Sequence, residues 1–584
     1  MNFLILKILP RVYRIILFIV VILCIYQLIV NISAVVARRY SLVELAKLVI
    51  FGGVLIIIIA LTILNKLSKI IKKGTIIELD LGRDLAKEKV EDLIFWGKRG
   101  LDYYQLLEAL DSGLKDDRIS LLLINIRRLP FAWGHLSELH NFIVRWREEG
   151  KEVICFLGDC TNSDYYIATA AAKICMSKGA VLFLNGLAYE APFYKELMDR
   201  LGITFEIEHS GLYKTSFDQY IYNHMQDQER EMMQDILSKI QENIVDTVSR
   251  CRKLEQQQVK GLIEEGIFTS ESAIKNKLVD EEITLEQFKE RMREKIGRRK
   301  KRGRTAPFIN IDDYFRIRGS KIVGKARKSI GLINVEGVIR GGESGYDPVF
   351  GKISGSDDIL YLLEEAKEEK ELCGILLRIN SPGGSATASE IIWHKIKQVA
   401  RSKLIVAVMG DIAASGGYYI SSAATRIIAS PLTITGSIGV ISGKVSIGGL
   451  LSKLNINIET IKSSENANMM SIFTSFTDRQ RELLKQANEE FYRLFIKRVA
   501  EGRNLTEDEV EQASNGRIWI AADALKYKLI DEIGGLKEAI NFIKRENKIP
   551  EKQSLKIYQL VMEKPIWEKL KLRSVAWGKM VQKL

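Results

Sequence analysis

The residue best placed to do chemistry is Ser415. It lies in VMGDIAASGGYYI, where the apolar strand pattern LIVAVM gives way to a helical one. A serine on a strand-to-helix turn is exposed and sits at the favourable N-terminal end of the next helix. Ala413, Ala414, Gly416 and Gly417 surround it with small side chains, so a substrate chain can approach closely. Gly384 comes 31 residues before it, in LLRINSPGGSATASE. There Gly383 and Gly384 permit a sharp turn with bare backbone N–H groups. Such donors, aimed at a developing negative charge, make an oxyanion hole. A lone serine at a turn is commonly a helix cap, and a lone Gly-Gly pair is commonly only a turn. Together they point to Ser415 as a nucleophile.

A serine hydroxyl needs a base. The five histidines are His135, His140, His209, His224 and His394. None carries a triad signature, and His394 falls in a lysine-rich amphipathic helix where a solvated role is expected. A buried lysine is the alternative: its pKa, near 10.4 when free, must fall to roughly 7–8 by desolvation. The six cysteines, Cys24, Cys155, Cys160, Cys175, Cys251 and Cys373, include no CxxC pair. Neither a zinc site nor a thioredoxin-like site is supported, and no metal or cofactor is expected. Buried free thiols in a reducing compartment are the reading.

The elements that must position these groups are duplicated. FLGDCTNSDYYIATAAAKICMS (156–177) runs parallel to VMGDIAASGGYYISSAATRIIAS (408–430), with one residue missing from the first. LMDRLGITFEIEHS (197–210) matches LLSKLNINIETIKS (450–463) at an offset of 253, and two further blocks match at offsets of 251 and 254. IGLINV, GILLRI, LIVAVM and RIIAS read as strands; DDILYLLEEAKEEK and ASEIIWHKIKQVARS read as amphipathic helices. Strand–helix alternation predicts βαβ units with buried parallel strands, so the fold class is α/β in two tandem modules.

RINSPGGS, GDIAASGGYY and TGSIGV resemble the signatures of the signal peptide peptidase A (protease IV) family of the long, duplicated type, over about residues 74–548. The resemblance implies a membrane-bound serine protease with a Clp-protease/crotonase-like fold. In single-module relatives the lysine base lies about fifty residues after the serine; here that position holds Ala467, which the repeat offset maps onto Lys214. The duplicated family places the lysine in the first copy and the serine in the second, so Lys214 is the implied general base. Ser437 would orient the lysine, and the oxyanion donors would be Gly383 or Gly384 together with Gly416. The first copy has Asn162–Ser163, Asp164 and RRLPF where the second has Ser415, glycine and SPGG. A ring-like homo-oligomer, a tetramer by resemblance, is also implied, acting on hydrophobic peptides such as cleaved signal peptides.

The 584 residues carry a net charge of +13, with 47% hydrophobic and 27% charged residues. Ten Lys or Arg residues fall between Lys289 and Arg304. No helix-turn-helix, zinc-finger or aromatic RNA-binding motif accompanies them, so no nucleic-acid partner is expected. A solvated linker is favoured over a patch on anionic lipid. Ile15–Val36 and Leu48–Leu64 are apolar runs of 22 and 17 residues, and about 20 apolar residues cross a bilayer. They read as a helical hairpin anchor in the bacterial inner membrane, with membrane lipid as a partner. Seven basic residues flank the hairpin and three lie in its loop, which favours catalytic modules on the cytoplasmic side; the resemblance expects them outside the cytoplasm. The expected divisions are the anchor at 1–73, a lysine module at 74–285, a basic linker at 286–328, a serine module at 329–548 and a tail at 549–584. In that tail PIWEKLKLRSVAWGKM reads as packing on the body or lying on a membrane surface. Two other readings keep the fold: a crotonase-like acyl-CoA enzyme, and an inactive membrane scaffold.

Overall fold

The computed structural model describes residues 71–82, 101–299, 308–319 and 328–562, apart from Arg128, Pro130, Lys552 and Ser554. Both N-terminal apolar runs and the chain from Pro565 onward lie outside these residues. Among the described residues no helix is long and apolar enough to cross a membrane. Of the described residues, Ile71–Thr75, Val561 and Met562 fall in one unit, in which the Thr75 hydroxyl donates to the Lys72 carbonyl at 2.7 Å. The described residues from Ile76 to Leu560 form the other unit, and both modules lie within it.

Short runs of Ile, Leu and Val that are apolar on both faces make buried parallel strands. In the first module the sheet order is Glu281–Glu282, Lys173–Met176, Glu152–Leu157, Ile119–Ile126, Thr75–Leu81 and Phe308–Asn310. In the second, Ser329–Arg340, Leu372–Gly384, Ile405–Ala414, Arg426–Ala429 and Glu532–Ile533 lie side by side in parallel. Consecutive residues of the central strands are fully buried, as at Ile375, Leu376 and Leu377, each contributing about 1.5–3 kcal/mol of hydrophobic stabilisation. The helices Ser356–Glu368 and Ala386–Ala400 form where the amphipathic patterns fall.

Two stretches depart from the expected divisions. Much of the basic stretch 286–328 is folded onto the first module rather than standing as a linker. Helix Leu285–Arg299 buries Phe288 against Phe156, with ring centroids 5.0 Å apart. Strand Phe308–Asn310 pairs in parallel with Ile76–Glu78, and Tyr314 on the next helix is fully buried. Phe288, Met292 and Phe308 make a narrow apolar stripe that the charge count hides. The start of the tail also folds: Lys556–Gln559 pairs in parallel with Ser329–Leu332.

The modules are joined by a strand pair that neither makes alone. Thr204–Ser210 of the first runs antiparallel to Val440–Ser446 of the second, with Ser210 opposite Val440. Lys214 follows one strand end by four residues, and Ser437 precedes the other by three. This pairing is what draws the two residues together.

Candidate active site

Ser415 sits at the N-cap of helix Gly416–Ser421, directly after strand Ile405–Ala414. Its φ of +52° lies in the left-handed region, which an L-residue enters only when its surroundings hold it there. Its N–H donates to Gly436 O at 2.9 Å, and its carbonyl accepts from Tyr419 N at 2.8 Å. The hydroxyl is thereby lifted off the sheet.

Lys214 arrives on the loop after Thr204–Ser210. Leu212 donates its N–H to Asn515 Oδ1 at 2.7 Å, and Tyr213 donates to Asn515 O at 2.8 Å. Gly516 follows with φ +82°; a Cβ there would stand 2.5 Å from Lys214 N. Arg517 O accepts the Ser437 N–H at 2.7 Å, while its guanidinium lies over Tyr213 and bonds Glu231 at 2.6 Å. One turn of the second module, Asn515–Arg517, therefore holds the lysine loop and Ser437 at once. Sequence reasoning passed over these three residues; the Asn-Gly pair was the signal that could have found them.

Lys214 Nζ stands 2.9 Å from Ser415 Oγ, 2.9 Å from Ser437 Oγ and 2.9 Å from Ser437 O. The side chain is 3% exposed. Burial alone pushes its pKa from the ordinary 10.5 to about 7, because a desolvated ammonium loses its hydration. Ala467, the counterpart of Lys214 in the second copy, is exposed.

The turn glycines separate into two roles. Gly383 donates its N–H to Ser381 Oγ at 3.1 Å. Gly384 N faces Gly416, lying 3.2 Å from where a Cβ on that residue would stand. A Cβ on Gly384 would meet Ile339 O at 2.1 Å, and one on Gly417 would meet Ser381 O at 2.6 Å. A Cβ on Gly383 would stand 2.8 Å from Ser415 Cβ and 2.8 Å from Gly416 N, so this turn lies against the serine only because it carries no side chain.

The histidines serve elsewhere. His140 is buried against Thr169 Oγ1 at 3.1 Å, and burial pushes its pKa down to about 3. His394 is exposed and pairs with Glu390; His135 lies against Asp411. The described cysteines are free thiols, with Cys155, Cys160 and Cys175 buried.

A family model for peptidase family S49 matches residues 145–298 and again 397–550, together just over half of the chain. The chloroplastic serine protease SPPA of Arabidopsis thaliana is 28% identical over 498 residues, covering 84% of this chain and 72% of that one. Protease 4 of Haemophilus influenzae is 28% identical over 480 residues, covering 80% and 76%. A putative signal peptide peptidase SppA of Enterococcus faecium is 32% identical over 228 residues, covering 39% and 66%. A peptidase family sets aside the acyl-CoA and scaffold readings. With two tandem copies of its domain, the chain belongs to peptidase family S49 and is a serine peptidase.

Proposed function

We propose that the protein is a membrane-bound endopeptidase whose Ser/Lys dyad is divided between its modules, each of Clp-protease/crotonase type, and that it degrades hydrophobic peptides such as cleaved signal peptides. The observation that carries this reading is the 2.9 Å approach of a buried Lys214 Nζ to Ser415 Oγ. A neutral amine has two N–H bonds and one lone pair. Ser437 O and Ser437 Oγ take the two N–H bonds, which leaves the lone pair facing Ser415 Oγ. Lys214 removes the Ser415 proton as Oγ attacks the peptide carbonyl. Gly384 and Gly416 N–H groups receive the oxyanion. The lysine then protonates the leaving amine, and the neutral lysine next activates the water that hydrolyses the ester. A serine-directed phosphonate tests this: it is expected to label Ser415, and labelling at the full rate in Lys214→Ala would refute the divided dyad.

The apolar runs Ile15–Val36 and Leu48–Leu64 support attachment to a bacterial cytoplasmic membrane. Protease added outside spheroplasts decides which face bears the modules, by cutting them only if they are extracytoplasmic. A homo-oligomer, ring-like in form, is part of the same proposal. The repeat offset makes Asn457–Ser463 the counterpart of Thr204–Ser210, and Leu187–Phe193 the counterpart of Val440–Ser446. Neither counterpart is in a strand, and Ile456, Ile458 and Ile461 are exposed. A second copy joined head to tail would pair them. Ile458→Asp is expected to reduce the mass measured by light scattering; a wild-type monomer would refute the ring.

A further inference from the structure

Two helices at the contact between the modules have N-cap residues without a side-chain acceptor. Helix Trp133–Glu148 of the lysine module has Ala132 at its N-cap, which offers no side-chain acceptor. Helix Leu536–Glu546 of the serine module has Gly535 in the same position. At each helix one opening N–H group is accepted from across the interface, while Gly535 N–H is accepted by Glu538 of its own helix. Asp411 Oδ1 of the serine module accepts the His135 backbone N–H at 2.7 Å, and its Oδ2 lies 2.5 Å from His135 Nδ1. Glu138 Oε1 of the lysine module accepts the Leu536 N–H at 2.8 Å. Glu138 Oε2 also accepts from Tyr103 at 3.1 Å, and Arg378 lies over the Tyr103 ring at 4.6 Å.

The two caps are thus reciprocal: each module finishes a helix of the other with a carboxylate, buried at Glu138 and half-buried at Asp411. The contact leaves no slack, since a Cβ on Gly134 would stand 2.6 Å from Gly410 O and 2.7 Å from Asp411 Cα. Burial pushes the Asp411 carboxyl up, but His135 and the N–H groups of Ala132 and His135 outweigh it and hold it below its ordinary value. Asp411 lies on the strand that ends at Ser415, four residues before it. The intervening residues are fixed: Ile412 N–H donates to Asn380 Oδ1 at 3.1 Å, and Ala413 pairs with Ser381 and Thr435. Asp411 is thus joined to the serine turn by three residues of one ordered strand. The counterpart of Asp411 in the first copy, Asp159, accepts a local N–H from Val181 at 3.0 Å.

We infer that Asp411 and Glu138 are positioning residues of the peptidase reaction, acting as a reciprocal capping latch that holds the lysine module at the depth where Lys214 meets Ser415 out of water. This rests on the divided dyad. The groups around Nζ are Ser415 Oγ, Ser437 Oγ and Ser437 O, so water admitted by a loosened latch returns the lysine towards its free value.

The test measures Ser415 acylation by a phosphonate against pH, with thermal melting alongside, in the full chain. Asp411→Ala and Glu138→Ala are expected to move the midpoint of the acylation profile upward by about one unit and to slow acylation about fivefold at neutral pH. Asp411→Asn and Glu138→Gln keep an acceptor oxygen and are expected to restore the wild-type midpoint. Gly134→Ala, which wedges the same contact, is expected to shift it upward too, and serves if Asp411→Ala does not fold. Alanine variants that melt earlier yet keep the wild-type midpoint would overturn the latch. Failure of the dyad itself reads differently: wild-type acylation would then be independent of Lys214.

Discussion

The two modules share a frame and differ where chemistry happens. Tyr165 OH donates to Leu278 O at 2.8 Å, and Tyr418 OH donates to Leu529 O at 2.9 Å. Arg252 pairs with Asp280 at 2.7 Å, and Arg503 pairs with Asp531 at 2.5 Å. Helices of 26 residues, Asp227–Arg252 and Asp478–Arg503, end on residues in the same left-handed conformation. At the serine turn the likeness stops. Where the second copy has Gly417, the first has Asp164, whose carboxylate accepts N–H groups from Leu129 at 3.0 Å and from Thr161 at 2.9 Å. A carboxylate at that place satisfies internally the kind of donors that an oxyanion would need, and it would repel one. The buried frame persists because removing any part of it leaves polar groups unpaired. At the serine turn the copies differ by only a few residues.

The sharpest way to break this comparison is to remove one group from each copy. Ser415→Ala and Lys214→Ala are each expected to lower hydrolysis of a fluorogenic peptide by about 10⁴-fold or more, whereas Asn162→Ala leaves the rate unchanged. Adding Ala467→Lys to Lys214→Ala should restore nothing, because position 467 is exposed. Equal losses from Asn162→Ala would mean that both copies are active. Next in size is Gly516→Ala, whose Cβ would push against the Lys214 backbone; a fall in kcat/KM of about 10²-fold is expected, and a normal rate would remove the Asn515–Arg517 turn from the site.

The pH profile gives a smaller effect. The lysine must be neutral to accept a proton, and its pKa is about 7. Activity should therefore rise through that value and fall about tenfold for each unit of acidification below it. A midpoint near that of a carboxylate would exclude a lysine base. Stability carries the matching sign. The folded-state value lies below the ordinary 10.5, so burying the lysine costs most below pH about 7 and progressively less as the pH rises. Lys214→Met should accordingly melt higher at neutral pH while being inactive. The least effect on rate belongs to Asp164→Ala. Activity should stay within about twofold, while stability falls by about 1–3 kcal/mol as Leu129 and Thr161 lose their acceptor; a large gain or loss of activity would show that the first copy still takes part in catalysis.

Much of the site was legible in the chain. Ser415 and the SPGG turn stand out because small residues cluster where a substrate must approach, and the resemblance to single-module relatives, whose lysine position holds Ala467 here, implies Lys214 through the repeat offset. The strands and helices follow from hydrophobic period. Other parts were not legible. Asn515, Gly516 and Arg517 act largely through backbone atoms, and backbone groups are the same in every sequence. The choice between Gly383 and Gly384 depends on which N–H Ser381 occupies. Asp411 and Glu138 are ordinary carboxylates until the helices that they cap, belonging to the other copy, are brought against them. The basic stretch after Thr284 hid its folding because charges outnumber the few aromatic and aliphatic residues that decide burial.

The sequence alone determined which groups are present: one serine turn, one lysine in the other copy, and two repeats with complementary losses. The tertiary structure decided where that lysine lies: buried, with Nζ 2.9 Å from Ser415 Oγ. A pKa near neutrality is not a property of a residue but of the water excluded around it, and here Lys214 is buried on a loop that a strand pair and a turn hold against the other module.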